Sequence, residues 1–308
     1  MIMNRNAPLL TLAILLFASI VQSADRPNIV WILSEDNSIH YLNLYGYPLG
    51  KTPAIESLAA EGIVFNHAFS CAPVCSVART TLMSGMYAPR IGFQYHRQLQ
   101  LANLPDGADL FPAYLRKAGY YTTNNSKEDY NVVEGKVWDK SSRKASWRKR
   151  PTPETPFFHM QTTAVSHEGR LHFKAAEMKR DGALQTDPKA VEVAPYHPDT
   201  PTFRFTYARY FDRMKAADAE VQKIVGQLKQ DGLLENTIIF YFGDHGGVLP
   251  RSKGYVYESG LHVPLARSAC CASSPKVAQA GWSRRWYSSG WIRQLYRFRS
   301  NCVESGWR

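Results

Sequence analysis

The chain has 308 residues, 44% of them hydrophobic and 20% charged, enough to bury one large core and too apolar for an intrinsically disordered chain. Its net charge of +11 invites a nucleic-acid reading. Residues 266–308, however, hold seven Arg and one Lys against one Glu, leaving only +4 for the first 265 residues, and this distribution argues against nucleic acid as a partner.

Arg5 precedes an apolar run over residues 9–21, and Val21-Gln22-Ser23-Ala24 supplies small residues for cleavage. The run is too short to cross a bilayer comfortably. Residues 1–24 therefore read as a secretory signal peptide. That predicts an exported protein, periplasmic or extracellular, with no membrane span after cleavage.

Ile29-Val30-Trp31-Ile32-Leu33 is an apolar run typical of a buried strand, and it ends at Ser34-Glu35-Asp36-Asn37. Thr52-Pro53 predicts a helix start with Thr52 as N-cap, Gly62 closes that helix, and residues 63–65 can form a strand. A helix is expected from Cys75, then another over residues 110–118 with Gly119 as its stop, followed by a strand at residues 120–123. Residues 134–156 are polar and basic and read as a surface insertion. Residues 156–162 read as a strand leading to Ser166-His167, and residues 174–202 as a second insertion. Residues 205–228 carry helical spacing, with the stripe from Tyr207 through Phe211 as helix core. Thr237-Ile238-Ile239-Phe240-Tyr241-Phe242 is the clearest strand, running into Gly243-Asp244-His245-Gly246.

Alternating strands and helices predict an α/β domain over residues 26–265, with a mostly parallel central sheet flanked by helices. Ligands of such sheets bind beyond the carboxyl ends of the strands. Asp36, Lys127, His167 and Asp244 each follow an expected strand, so the fold would gather them. The dyads Glu35-Asp36 and Asp244-His245 suit a hard divalent cation, with His245 the poorer ligand for calcium. His40, His96, His172 and His197 have no comparable context. Cys71 and Cys75 are the only two of five cysteines in the body of the chain, and either a disulfide between them or a separate task for Cys75 is open. Residues 266–308 also hold four of the seven Trp and no Asp, and read as an aberrant basic tail, out of frame or misassembled, ahead of a basic surface tail.

Four stretches resemble the formylglycine-dependent sulfatase family of the alkaline-phosphatase-like superfamily. Residues 27–36 resemble its opening strand and acidic pair, with Glu35 where Asp is usual. Residues 75–85 resemble its Cys-x-Pro-x-Arg modification motif, with Val77 at the Pro position. Residues 240–246 resemble its second metal strand, and residues 253–264 its lysine-bearing segment ending at Val263-Pro264. Lys127 and His167 are weaker matches, and Asp129 stands where many members have His. The resemblance implies hydrolysis of a sulfate ester, on a sulfated small molecule or polysaccharide. Cys75, converted by a formylglycine-generating enzyme, would supply the nucleophile as an aldehyde hydrate held by Arg79. Lys127, Lys253 and His167 would grip the sulfate, with His167 or Lys253 protonating the leaving oxygen. One Ca2+ would sit on Glu35, Asp36, Asp244, His245 and residue 75. A phosphodiesterase or phosphonate hydrolase of the same superfamily and an inactive remnant are the alternatives, and an N-sulfate substrate stays open beside an O-sulfate. The family's smaller antiparallel C-terminal subdomain is expected to be missing or scrambled.

Overall fold

A computed structural model describes residues 26–180 and 182–268. The expected signal peptide and residues 269–308 of the expected tail lie outside the described residues. The strands are β1 (Asn28–Ser34), β2 (Gly62–Val64), β3 (Tyr121–Asn125), β4 (Lys140–Ser141), β5 (Phe157–Thr163), β6 (Thr237–Gly243) and β7 (Leu265–Ser268). The helices are α1 (Pro53–Ala60), α2 (Cys75–Ser84), α3 (Ala88–Ile91), α4 (Phe111–Lys117), α5 (Pro201–Gln230) and α6 (Glu258–Leu261), with several single 3-10 turns between them.

The strands form one sheet in the order β2-β7-β6-β1-β5-β3-β4. β6, β1, β5, β3 and β4 run parallel, and β7 is antiparallel to both β6 and β2. The α/β class with a mostly parallel sheet is thus what the sequence predicts. Register matters most at β1, where Ser34 lies opposite Thr163 on one side and Gly243 on the other. The residues that follow these three strands therefore emerge side by side at one edge.

Side chains of β1 alternate between two cores, as pleated geometry requires. Ile29 and Leu33 face a layer containing Val77, Leu82 and Met83 of α2, with Trp31 packed edge-on to Phe158 and Phe242. Val30 and Ile32 face α5 through Tyr207, Tyr210, Phe211 and Met214. Each fully buried large apolar side chain contributes about 1.5–3 kcal/mol relative to exposure. Thr200 caps α5 by accepting the Phe203 N–H at 3.3 Å. No helix among the described residues is long and apolar enough to cross a membrane.

Four expectations change. Thr52 occupies the N-cap position of α1 without a side-chain cap bond. Asp218, buried on α5, accepts the N–H groups of Ala54 and Ile55 at 3.2 and 2.9 Å, so the helix start is satisfied by another helix. Residues 134–156 are not merely a surface insertion, because β4 extends the sheet there and Val137, Trp138, Ala145 and Trp147 are buried. In residues 174–202, Val191 and His197 are buried against α5, with His197 Nδ1 2.8 Å from the Tyr207 hydroxyl. The boundary expected at residue 265 falls inside a strand, since Ala266, Arg267 and Ser268 complete β7.

Candidate active site

At the carboxyl edge of the sheet, the loops after β1 and β6 are laced together. Asp244 Oδ1 accepts the N–H of Asp36 and that of His245, both at 3.0 Å, and His245 O accepts the Asn37 N–H at 3.0 Å. Asp36 has a φ of 51°, a left-handed conformation that Asp tolerates better than most residues. Its carbonyl accepts the Tyr210 hydroxyl from α5. Gly246 lets the second loop approach α6, because a Cβ there would lie 1.9 Å from Ser259 O.

The start of α2 lies beside these loops. All ten of its residues are buried, and its two threonines are satisfied locally: Thr80 and Thr81 hydroxyls donate to the carbonyls of Ser76 and Val77. Cys75 Sγ, at the positive end of this helix, lies 3.2 Å from His245 Nε2 and 3.9 Å from Asp36 Oδ1. Burial pushes the Cys75 thiol up, but hydrogen bonds to His167 and His245 outweigh it and bring the thiol below its ordinary value. By contrast, burial alone pushes Cys71 up to about 11. No disulfide joins Cys71 to Cys75.

Arg79 follows one turn later with no solvent exposure. Its guanidinium donates to Glu35 Oε1 (3.4 Å), Thr162 Oγ1 (3.4 Å) and Lys127 O (3.2 Å), and its Nε lies 3.6 Å from Asp244 Oδ2. Burial works against its charge, yet Asp244 and Glu35 more than compensate and hold it firmly protonated. Arg79 thus braces the acidic dyads one helical turn from residue 75, whose hydrate the resemblance implies it would hold.

Two lysines close the cluster. Lys127 ion-pairs with Glu35 and lies 3.5 Å from Asp129 Oδ2. Lys253 Nζ meets both oxygens of Asp36 at 3.0 and 3.1 Å and Glu168 Oε2 at 3.0 Å. Burial opposes ionisation of Asp36, but His245 and Lys253 hold its carboxyl well below the usual range. His245 is raised well above its ordinary value despite burial, chiefly by Asp244 and Asp36. His167 is raised too, first by its hydrogen bond to Cys75. Together with Glu35, Ala164, Gly169 and Arg170, His167 lines an open cavity of about 330 Å³.

All nine residues singled out in the sequence form one connected cluster. Donor atoms of Asp36, Cys75 and His245 lie within 4.8 Å of one another, as do those of Glu35, Cys75 and His167. Among the described residues, Asp244 Oδ2 and Arg79 Nε are buried without hydrogen-bond partners. Sequence reasoning missed several neighbours. His96 Nδ1 lies 3.0 Å from the hydroxyl of Ser76, next to Cys75, a position its sequence context does not suggest. Arg97 pairs with Asp129, Glu168 pairs with Lys253, and the Ser166 hydroxyl donates to Glu35 O at 2.5 Å. Ser166 and Glu168 flank His167, and Asp129 lies two residues after Lys127; His96 and Arg97 carry no such signal.

The family model described as Sulfatase matches residues 27–266. An ulvan-active sulfatase of Formosa agariphila is 32% identical over 282 residues, covering 78% of this chain and 47% of that protein. The human N-acetylgalactosamine-6-sulfatase is 36% identical over 103 residues, covering 30% of this chain and 20% of that protein. The crystal structure of a putative sulfatase from Bacteroides fragilis superposes with a TM-score of 0.59 at 20% identity, over 79% of this chain and 68% of that one. The chain spans about half the length of most of the curated relatives it matches.

Proposed function

The chain belongs to the sulfatase family, and from that premise we propose that its site hydrolyses a sulfate ester on a carbohydrate, with position 75 supplying the nucleophile. The observation that carries this reading is the setting of Cys75 Sγ, 3.2 Å from His245 Nε2 and 3.9 Å from Asp36 Oδ1, with two lysines at the rim of the same cluster. A sugar sulfate is favoured because the human relative is named for one and the Formosa relative for activity on ulvan.

Lys127 and Lys253, with side chains 21% and 13% exposed, reach from buried carboxylates toward solvent and would donate to the sulfate oxygens. His167, partly exposed and hydrogen-bonded to Cys75, would carry the proton to the leaving oxygen. Arg79, wholly enclosed, keeps Glu35 and Asp244 in place rather than touching substrate.

The residues present fit a divalent cation. His245 Nε2 lies 3.1 Å from Asp36 Oδ1 and 3.9 Å from Asp244 Oδ1, donor atoms of Glu35 and Asp36 each lie within 4.8 Å of Cys75 Sγ, and Asp244 Oδ2 is buried with no hydrogen-bond partner among the described residues. Glu35, Asp36, Asp244 and His245 would hold the ion beside residue 75, and the oxygen majority favours calcium. Such an ion would neutralise charge on the sulfate oxygens. Formylglycine at Cys75, made by a formylglycine-generating enzyme, would supply a hydroxyl as nucleophile. Export of the chain belongs to the same reading.

Mass spectrometry of the peptide carrying position 75 tests it, since formylglycine leaves that peptide about 18 Da lighter than cysteine does. Sulfate release by protein with unmodified Cys75 would remove formylglycine from the mechanism. Modified protein that releases no sulfate from any sulfated sugar, while cleaving a phosphonate monoester, would replace the sulfatase reading.

A further inference from the structure

The loop after α3 is tied to the residue that follows Cys75. Ser76 Oγ accepts the backbone N–H of Arg97 at 2.9 Å and lies 3.0 Å from His96 Nδ1, while Asn131 Nδ2 donates to the carbonyls of Phe93 and Tyr95 at 3.1 and 2.6 Å. The Arg97 side chain is 57% exposed, and that of Asp129 only 12%. Their pairing is bidentate, with Nε to Oδ1 and Nη2 to Oδ2 both at 3.0 Å. Asp129 Oδ2 is also 3.5 Å from Lys127 Nζ, so one carboxylate serves two cations. Both Arg97 and Asp129 hold positive φ, at 48° and 57°.

An ordinary surface ion pair stabilises little, which does not account for two left-handed residues and a loop anchored beside position 75. A bidentate fork does fix the guanidinium plane. It leaves Nη1 without a hydrogen-bond partner among the described residues, on a planar donor edge suited to a second anion.

We propose that Arg97, held in plane by Asp129, is a specificity residue that binds a second anionic group, a carboxylate or another sulfate, on the carbohydrate whose ester lies over position 75. This rests on the sulfatase reading and narrows its substrate to a sugar with two negative groups.

The test is calorimetric binding to the full chain carrying Cys75→Ala, so that no ligand is consumed. Three probes are compared: a disaccharide with one sulfate, the same disaccharide with an added uronic carboxylate, and the disulfated form. The expected result is that one doubly charged probe binds about 10-fold tighter than the monosulfated one. Arg97→Gln should bring that ratio to about 1, and Asp129→Asn, which keeps the cation but frees its plane, to about 3. The two doubly charged probes separate carboxylate from sulfate. Equal affinities for all three in the parent, an unchanged ratio in Arg97→Gln, or an equal loss for every probe would overturn the proposal and leave Arg97 a loop anchor. A parent that binds none of the three would instead defeat the sulfatase reading, and this inference with it.

Discussion

Asp244 Oδ1 accepts the backbone N–H of Asp36 at 3.0 Å, joining positions 208 residues apart. The same oxygen accepts the N–H of His245, leaving Oδ2 facing Arg79 Nε across 3.6 Å. A single side chain thus shapes both acidic loops and offers one oxygen to the interior of the cluster. Arg79, Lys127, Lys253 and His245 are interleaved among the carboxylates of the cluster.

Removing Arg79 should therefore be costly. Arg79→Ala would strip the buried guanidinium from Glu35 and Asp244, leaving only Lys127 on Glu35 and His245 near Asp244, and breaking a buried pair in this way typically costs about 3–5 kcal/mol. Denaturant unfolding of the two proteins measures it. A loss below about 1 kcal/mol would show that Arg79 does not brace the dyads.

Calcium should stabilise the fold. Binding to the native state alone adds about 2.7 kcal/mol at 100 times the dissociation constant, so the melting temperature should climb with added Ca2+ and fall back with a chelator. Asp36→Asn should flatten that response. Melting curves of the parent that ignore calcium altogether would count against a resident ion.

Cys75→Ala should reduce sulfate release by at least about 1,000-fold, since a nucleophile acts only in the reacting complex. The variant should still bind the monosulfated sugar, which separates loss of chemistry from loss of the site. Turnover within 10-fold of the parent would place the nucleophile elsewhere.

His159 offers a pH test remote from the cluster. Burial lowers its pKa to about 4 from 6.5, and the ring is held 2.8 Å from Thr123 Oγ1. Between those values the unfolded chain carries a proton that the folded chain lacks, so stability rises with pH and is lost as pH falls from 6.5 towards 4. The full effect is about 3 kcal/mol. In His159→Gln the slope contributed by this residue should vanish. Identical pH profiles for the two proteins would refute the assignment.

Gly246→Ala tests the close approach behind His245. A Cβ there would come within 1.9 Å of Ser259 O and 2.7 Å of the Gly260 backbone, so backbone rather than a flexible tip must move. Overpacking of this kind costs about 1–3 kcal/mol, and calcium binding should weaken as His245 shifts. Unchanged stability and unchanged calcium response would show that the loop adapts freely.

The legible parts of the fold were those whose signal is local. The runs that became β1 and β6 bury both faces, so their apolar residues are nearly continuous, and α5 announces itself by spacing alone. β4 escaped because two exposed residues, Lys140 and Ser141, have no periodicity; the edge of β3 makes them a strand. Thr52 looked like a cap because capping preferences are local, whereas Asp218 reaches the helix start from 164 residues away.

The sequence by itself determined that acidic and basic side chains would follow the strands of a mostly parallel sheet, because strand direction carries every such loop to one edge. Tertiary structure decided which of them touch. The pairing of β1 with both β5 and β6 sets Glu35, Asp36, Asp244 and His167 side by side, and α2 delivers Cys75 and Arg79 from beneath. It also brought in His96, Arg97 and Glu168, whose positions depend on hydrogen bonds to residues distant in the chain, such as Ser76, Asp129 and Lys253, that no local pattern encodes.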